Sequence, residues 1–123
     1  MRGFGVLLVF LVVASGCGSS ADQPTDRVSI CNRGRANACQ RIADCEGAAP
    51  SNPATVAFVT MCTATTQANE CTADLLVCPP TETYHLDQDL ACASGFSQWD
   101  CAAVLAAGDH FPAPPAPCQM ICQ

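Results

Sequence analysis

Eleven cysteines in 123 residues constrain this chain more than any other feature. An odd count cannot close on itself in an oxidising compartment, and a leftover thiol there needs its own explanation. The positions supply one. Cys17 stands alone at the end of an apolar segment. The other ten are Cys31, Cys39, Cys45, Cys62, Cys71, Cys78, Cys92, Cys101, Cys118 and Cys122. With Cys17 set aside, all ten can pair. They permit about 945 connectivities, so spacing does not assign the bonds.

Residues 1–16 have the order of an export signal. Arg2 gives a positive start, residues 4–13 (FGVLLVFLVV) an apolar run, and Ala14, Ser15 and Gly16 a small-residue cleavage region. The run is too short for a membrane span, which takes about 20 apolar residues, and no basic cluster follows it. Plain signal-peptidase cleavage at these small residues is one reading. The other rests on Ala14-Ser15-Gly16-Cys17, which resembles the lipobox of bacterial lipoproteins. That resemblance implies cleavage between Gly16 and Cys17 and lipidation of the Cys17 thiol and amine. Ser15 and Gly16 match the family's usual residues, and Ala14 stands where Leu is commoner. Two or more acyl chains anchor a protein stably, whereas one is marginal. The same resemblance, with no Asp directly after Cys17, implies an exported protein held at the outer rather than the inner membrane.

The expected organisation is a leader at 1–16, a lipidated N-terminus and flexible tether at 17–30, and a cysteine-rich domain at 31–123. The tether reading follows from small, polar residues around Pro24. Beyond Cys17 large apolar side chains are sparse, so a domain of this size needs covalent staples to hold a fold.

Alanine is frequent and alternating β-branched patterning is scarce, which predicts a mainly α, disulfide-stapled domain of about five short helices with no substantial sheet. The first is expected from Gly34 or Arg35 to Asp44, with Gly47 past its end. A second starts at Ser51-Asn52-Pro53 and frays near residues 63–66. A third is capped by Asn69, carries Cys71, Leu75 and Cys78 on one side, and stops at Pro79-Pro80. A fourth runs from Leu86 to Ser94, before Gly95. The fifth starts at a capping-box-like Ser97-Gln98-Trp99-Asp100 and stops at Gly108. A last turn would set Cys118 and Cys122 on one face. There is also an internal echo. Ala38-Cys39, Asp44-Cys45 and Cys62 find counterparts in Ala91-Cys92, Asp100-Cys101 and Cys118.

The stretches Ala-Cys-Gln-Arg-Ile-Ala-Asp-Cys (38–45) and Trp-Asp-Cys-Ala-Ala-Val-Leu-Ala (99–106) make the domain similar to small cysteine-rich helical lipoproteins of high-GC Gram-negative bacteria. That resemblance carries no functional residues. The adjacent Cys-Cys and Cys-x-Cys of plant lipid-transfer proteins do not occur here.

Charge narrows the partners. The chain has no lysine and a net charge of -6. Its basic residues beyond the leader are Arg27, Arg33, Arg35 and Arg41, expected on a solvated helix face. Nucleic acid is not an expected partner, because phosphate neutralisation takes many placed cations. No Cys-x-x-Cys is present, and export oxidises thiols, so disulfides are expected in place of a zinc, iron–sulfur or thioredoxin-like site. No metal and no cofactor is expected. His85-Leu86-Asp87-Gln88-Asp89 and Asp109-His110 hold the two histidines, read as a helix N-terminus with favourable acids and a polar turn. No nucleophile is positioned beside a base, so no catalytic residue and no enzyme activity is expected. The expected role is a membrane-anchored module that binds, or structurally supports, an envelope or extracellular protein or glycan. The alternative is a secreted, protease-resistant inhibitor- or toxin-like effector.

Overall fold

A computed structural model describes residues 24–123. The expected leader with Gly16, and Cys17 with its expected lipidation, lie outside the described residues. The domain is mainly α, with four α-helices and two 3₁₀ turns: α1 Arg27–Cys45, α2 Pro53–Glu70, α3 Leu86–Gly95, a 3₁₀ turn Phe96–Gln98, α4 Cys101–Ala107 and a 3₁₀ turn Ala116–Met120. Among the described residues there is no sheet, and one isolated antiparallel bridge joins Tyr84 to Cys122.

α1 is the axis of the fold and packs on α2, α3, α4 and the Phe96–Gln98 turn. It begins two turns earlier than expected, so residues 27–30 belong to the helix and not to the tether. Asp26 is the reason. Its Oδ1 accepts the Ser29 N–H at 2.8 Å, satisfying one of the donors that every helix start leaves open. The same bond holds the Asp26 carboxyl below its ordinary pKa. At the far end Gly47, at φ 71°, closes a Schellman motif. Its N–H donates to Asp44 O, and Ala48 N–H donates to Ala43 O.

α2 starts as expected, with Pro53 at the first helical position and Asn52 Oδ1 accepting from Ala54 N at 2.9 Å. It does not fray at 63–66. Thr66 Oγ1 donates to Cys62 O at 2.8 Å, and Gln67 Nε2 reaches across to Asn32 O at 2.9 Å. The third expected helix does not form. Asn69 lies inside α2, Cys71 is its C-cap, and residues 72–85 are turns and loop. Leu75, expected on the packed side with Cys71 and Cys78, is exposed, as is Val77. Four α-helices therefore stand where about five were expected.

α3 forms over the expected residues and α4 ends at Gly108. Ser97 is no cap for α4. It lies in the 3₁₀ turn, its hydroxyl donates to Ser94 O at 2.7 Å, and Asp100 takes the N-cap position. The last turn is 3₁₀, and Cys118 and Cys122 serve different partners.

All ten cysteines pair: Cys31–Cys71, Cys39–Cys62, Cys45–Cys101, Cys78–Cys122 and Cys92–Cys118. The first two run α2 antiparallel along α1, since later α1 cysteines meet earlier α2 positions. The apolar core gathers Ala38 of α1 with Cys92, Phe96, Trp99 and Val104, flanked by Ile42, Phe111 and Ile121. Phe96 and Trp99 meet edge to face with centroids 5.0 Å apart. The polar edge of Trp99 is satisfied by Nε1 donating to Ala113 O at 3.0 Å. Gly95 permits the C-terminal segment to close over α3, because a Cβ there would lie 2.7 Å from Pro115 Cβ.

Candidate functional site

A cavity of about 300 Å³ opens between α1, α3 and the C-terminal segment. Its α1 wall is Arg27, Ile30, Cys31, Gly34 and Arg35, a stripe at helical spacing. Asp89, Cys92, Ala93 and Phe96 form the facing stripe, and Glu70, Leu76, Pro114, Cys118 and Ile121 close the sides. The walls are mostly apolar, with an ion pair at each end.

At one end Arg35 Nη2 lies 2.6 Å from Glu70 Oε2, and its guanidinium stacks over Phe96 at 5.2 Å from the ring centroid. At the other end Arg27 Nε lies 3.7 Å from Asp89 Oδ2. The Arg27 guanidinium covers the Tyr84 ring at 4.6 Å, and the Tyr84 hydroxyl donates to Asp89 Oδ2 at 2.9 Å. Burial, then the bond to the Asp89 carboxylate, pushes the Tyr84 phenol up to about 12. Arg27 Nη1 and Nη2 point to the Cys78–Cys122 disulfide, with Sγ atoms at 3.4 Å and 3.8 Å. Its Nε is buried without a hydrogen-bond partner. Two cations face two carboxylates, so the lining is formally neutral and suits a small apolar or zwitterionic group.

The expected solvated arginine face is therefore corrected for three of its four residues, while Arg33 is exposed as expected. Arg27 and Arg35 turn into the cavity, and Arg41 Nε donates to Trp99 O at 2.8 Å. A helix that packs on three sides has few positions left on a purely solvated face, and Arg stems cover apolar surface while their heads find acceptors. No spacing rule joins Arg27 to Tyr84 and Asp89, which lie 57 and more residues along the chain. The one local signal is Tyr84 beside His85 with Asp89 one turn on, a pattern that helix-dipole chemistry alone also explains.

The structure does not bring the two histidines together. His85 is the N-cap of α3 without a side-chain capping bond, and its N–H donates to Ile121 O at 2.8 Å. His110 lines a separate groove of about 450 Å³ with Glu46, Phe58, Asp109 and Phe111. Asp87 and Asp89 do sit in the first turn of α3, but Asp89 is buried and serves Tyr84 and Arg27 as well as the helix dipole. Among the described residues no group of three or more His, Cys, Asp or Glu is placed to hold a metal ion, and no helix is long and apolar enough to cross a membrane.

No family model, no curated protein and no solved structure matches this chain.

Proposed function

We propose that this is an exported lipoprotein, anchored through Cys17 to the cell envelope at the outer membrane, whose disulfide-stapled domain is a non-enzymatic binding or structural module. One observation carries the reading. The ten cysteines from Cys31 to Cys122 pair among themselves, so of the eleven in the chain only Cys17 has no cysteine left to join. A thiol left over by a closed set, in the place where a lipobox ends, suits thioether attachment of a diacylglycerol. The five disulfides, which tie α1 to α2 and α4 and close the C-terminal segment on α3, suit a module that presents a rigid face to an envelope or extracellular protein or glycan.

Intact-mass measurement of the mature protein tests this. The expected product starts at Cys17 and carries the mass of its acyl chains, and Cys17→Ser moves the protein from the membrane to the soluble fraction. A mature chain starting at an unmodified Gly18, or Cys17 found in a disulfide, overturns the anchor. A phenotype that persists when Cys17→Ser is released to the medium would overturn the envelope role in favour of a secreted effector.

A further inference from the structure

We propose that Cys78–Cys122 is a thiol–disulfide exchange site, the bond that a dithiol attacks first. Three observations combine. Three of the other disulfides have a buried member, Cys39, Cys71 or Cys92, whereas Cys78 and Cys122 are both partly exposed. An attacking thiolate needs that access. Cys45–Cys101 shares the exposure, and the second observation separates the two. Among the described residues, Cys78–Cys122 is the disulfide whose sulfurs both accept from a guanidinium, with Arg27 Nη1 and Nη2 spanning them at 3.4 Å and 3.8 Å. A neighbouring arginine stabilises thiolate over thiol, and a leaving thiolate of lower pKa departs faster. The third observation is that the bond is not alone in holding its two segments. Thr83 and Gln123 exchange backbone hydrogen bonds, and His85 N–H donates to Ile121 O. The sulfurs stay neighbours after cleavage, so the bond can re-form.

The exchange balances with a dithiol as the reductant. One thiolate of the dithiol attacks Cys122 Sγ. A mixed disulfide forms, the Cys78–Cys122 bond breaks, and its electron pair leaves on Cys78 Sγ beside Arg27 Nη1. The second thiolate of the dithiol then attacks its own sulfur in the mixed disulfide. The dithiol is released oxidised, and Cys122 Sγ departs with the second electron pair. Two electrons have passed to the cysteine pair, and the two protons of the dithiol go to the cysteine sulfurs or to solvent. Asp89 opposes the effect, because its carboxylate shares the Arg27 charge at 3.7 Å, while the Tyr84 hydroxyl, donating to Asp89, softens that competition.

The test treats the folded, oxidised protein with graded dithiothreitol, traps thiols by alkylation and identifies them by peptide mass. Cys78 and Cys122 are expected to label first, about tenfold faster than Cys45 and Cys101. Arg27→Gln is expected to slow labelling of that pair about tenfold, and Arg27→Lys, which keeps the charge but loses the planar fork, to fall between. A merely structural arginine gives the opposite sign, since loosening the fold exposes the bond and speeds its reduction. Earlier labelling of Cys45–Cys101 in the unsubstituted protein, or an Arg27→Gln rate that is unchanged or raised, overturns the proposal.

Discussion

Residues 31–71 and residues 78–122 share one wiring pattern. In each segment the outermost cysteines pair, Cys31–Cys71 and Cys78–Cys122, and an inner pair nests within, Cys39–Cys62 and Cys92–Cys118. The middle cysteines, Cys45 and Cys101, join one segment to the other. Roughly one in twelve of the conceivable pairings would map onto itself in this way. The packing is nevertheless unlike. In the first segment the inner pair fastens α2, whose buried residues reduce to Thr55, while Val56 and Met61 are exposed. In the second the inner pair lies within the core beside Phe96, Trp99 and Val104. The same covalent pattern thus fastens a helix, α2, that buries little of its own in one segment, and reinforces the apolar core in the other. A disulfide acts largely on the unfolded chain. It can hold a helix whose own burial would not.

That contrast can be broken in several ways. The largest effect expected is from full reduction: with all five bonds open, the chain loses cooperative unfolding and the sharp near-ultraviolet dichroism of Trp99. Persistence of both in excess reductant would mean that the core holds the fold unaided. Next comes a paired comparison. Trp99→Ala is expected to cost about 3–5 kcal/mol and to lower hydrogen-exchange protection throughout the domain. Cys39→Ala with Cys62→Ala is expected to cost about 2–4 kcal/mol and to lose protection mainly in α2. Equal spread of the damage would erase the distinction between the segments.

A smaller effect is expected at the seam. Gly95→Ala drives a Cβ against Pro115, and overpacking of this kind costs about 1–3 kcal/mol by denaturant titration. A neutral result would show that residues 112–117 yield freely. The smallest effect is electrostatic. The chain has a single tyrosine, so absorbance near the tyrosinate band titrates Tyr84 alone. Its midpoint is expected at about 12, against an ordinary 10.0, and Asp89→Asn should bring it down. The sign for stability follows. Between the unfolded and folded values the native state keeps a proton that the unfolded chain loses, so stability falls as pH rises through that window.

Much of the helix placement was legible in the sequence because its signals are local. Asn52-Pro53 starts α2, Leu86–Ser94 holds its helical register, and Gly108 ends α4. The errors came where tertiary partners override local pattern. Asn69 looks like a cap, yet Cys31–Cys71, the Arg35–Glu70 ion pair and the Gln67–Asn32 bond extend α2 past it. Asp26 is not legible as a cap, because a polar, proline-containing stretch reads as tether until the bond to Ser29 fixes its end. The cavity was not legible at all. Its arginines, Tyr84 and Asp89 meet through helix packing and disulfide closure, and no spacing rule connects residue 27 with residues 84 and 89. The ten cysteines announced that the domain is stapled, but the choice among pairings depends on which helices lie side by side.

The two outer disulfides also set how the molecule carries load. A pull applied at Asp26 and at Gln123 travels through Cys31 to Cys71, along the loop to Cys78, and across to Cys122. Everything between the bonded positions is bypassed. The contour that tension can pay out is therefore limited to Asp26–Cys31, Cys71–Cys78 and Cys122–Gln123, on the order of 45 Å when fully drawn. A domain so wired behaves under traction as a short, nearly inextensible link, with its helices, past the first turn of α1, hanging from the load path as unstressed side loops.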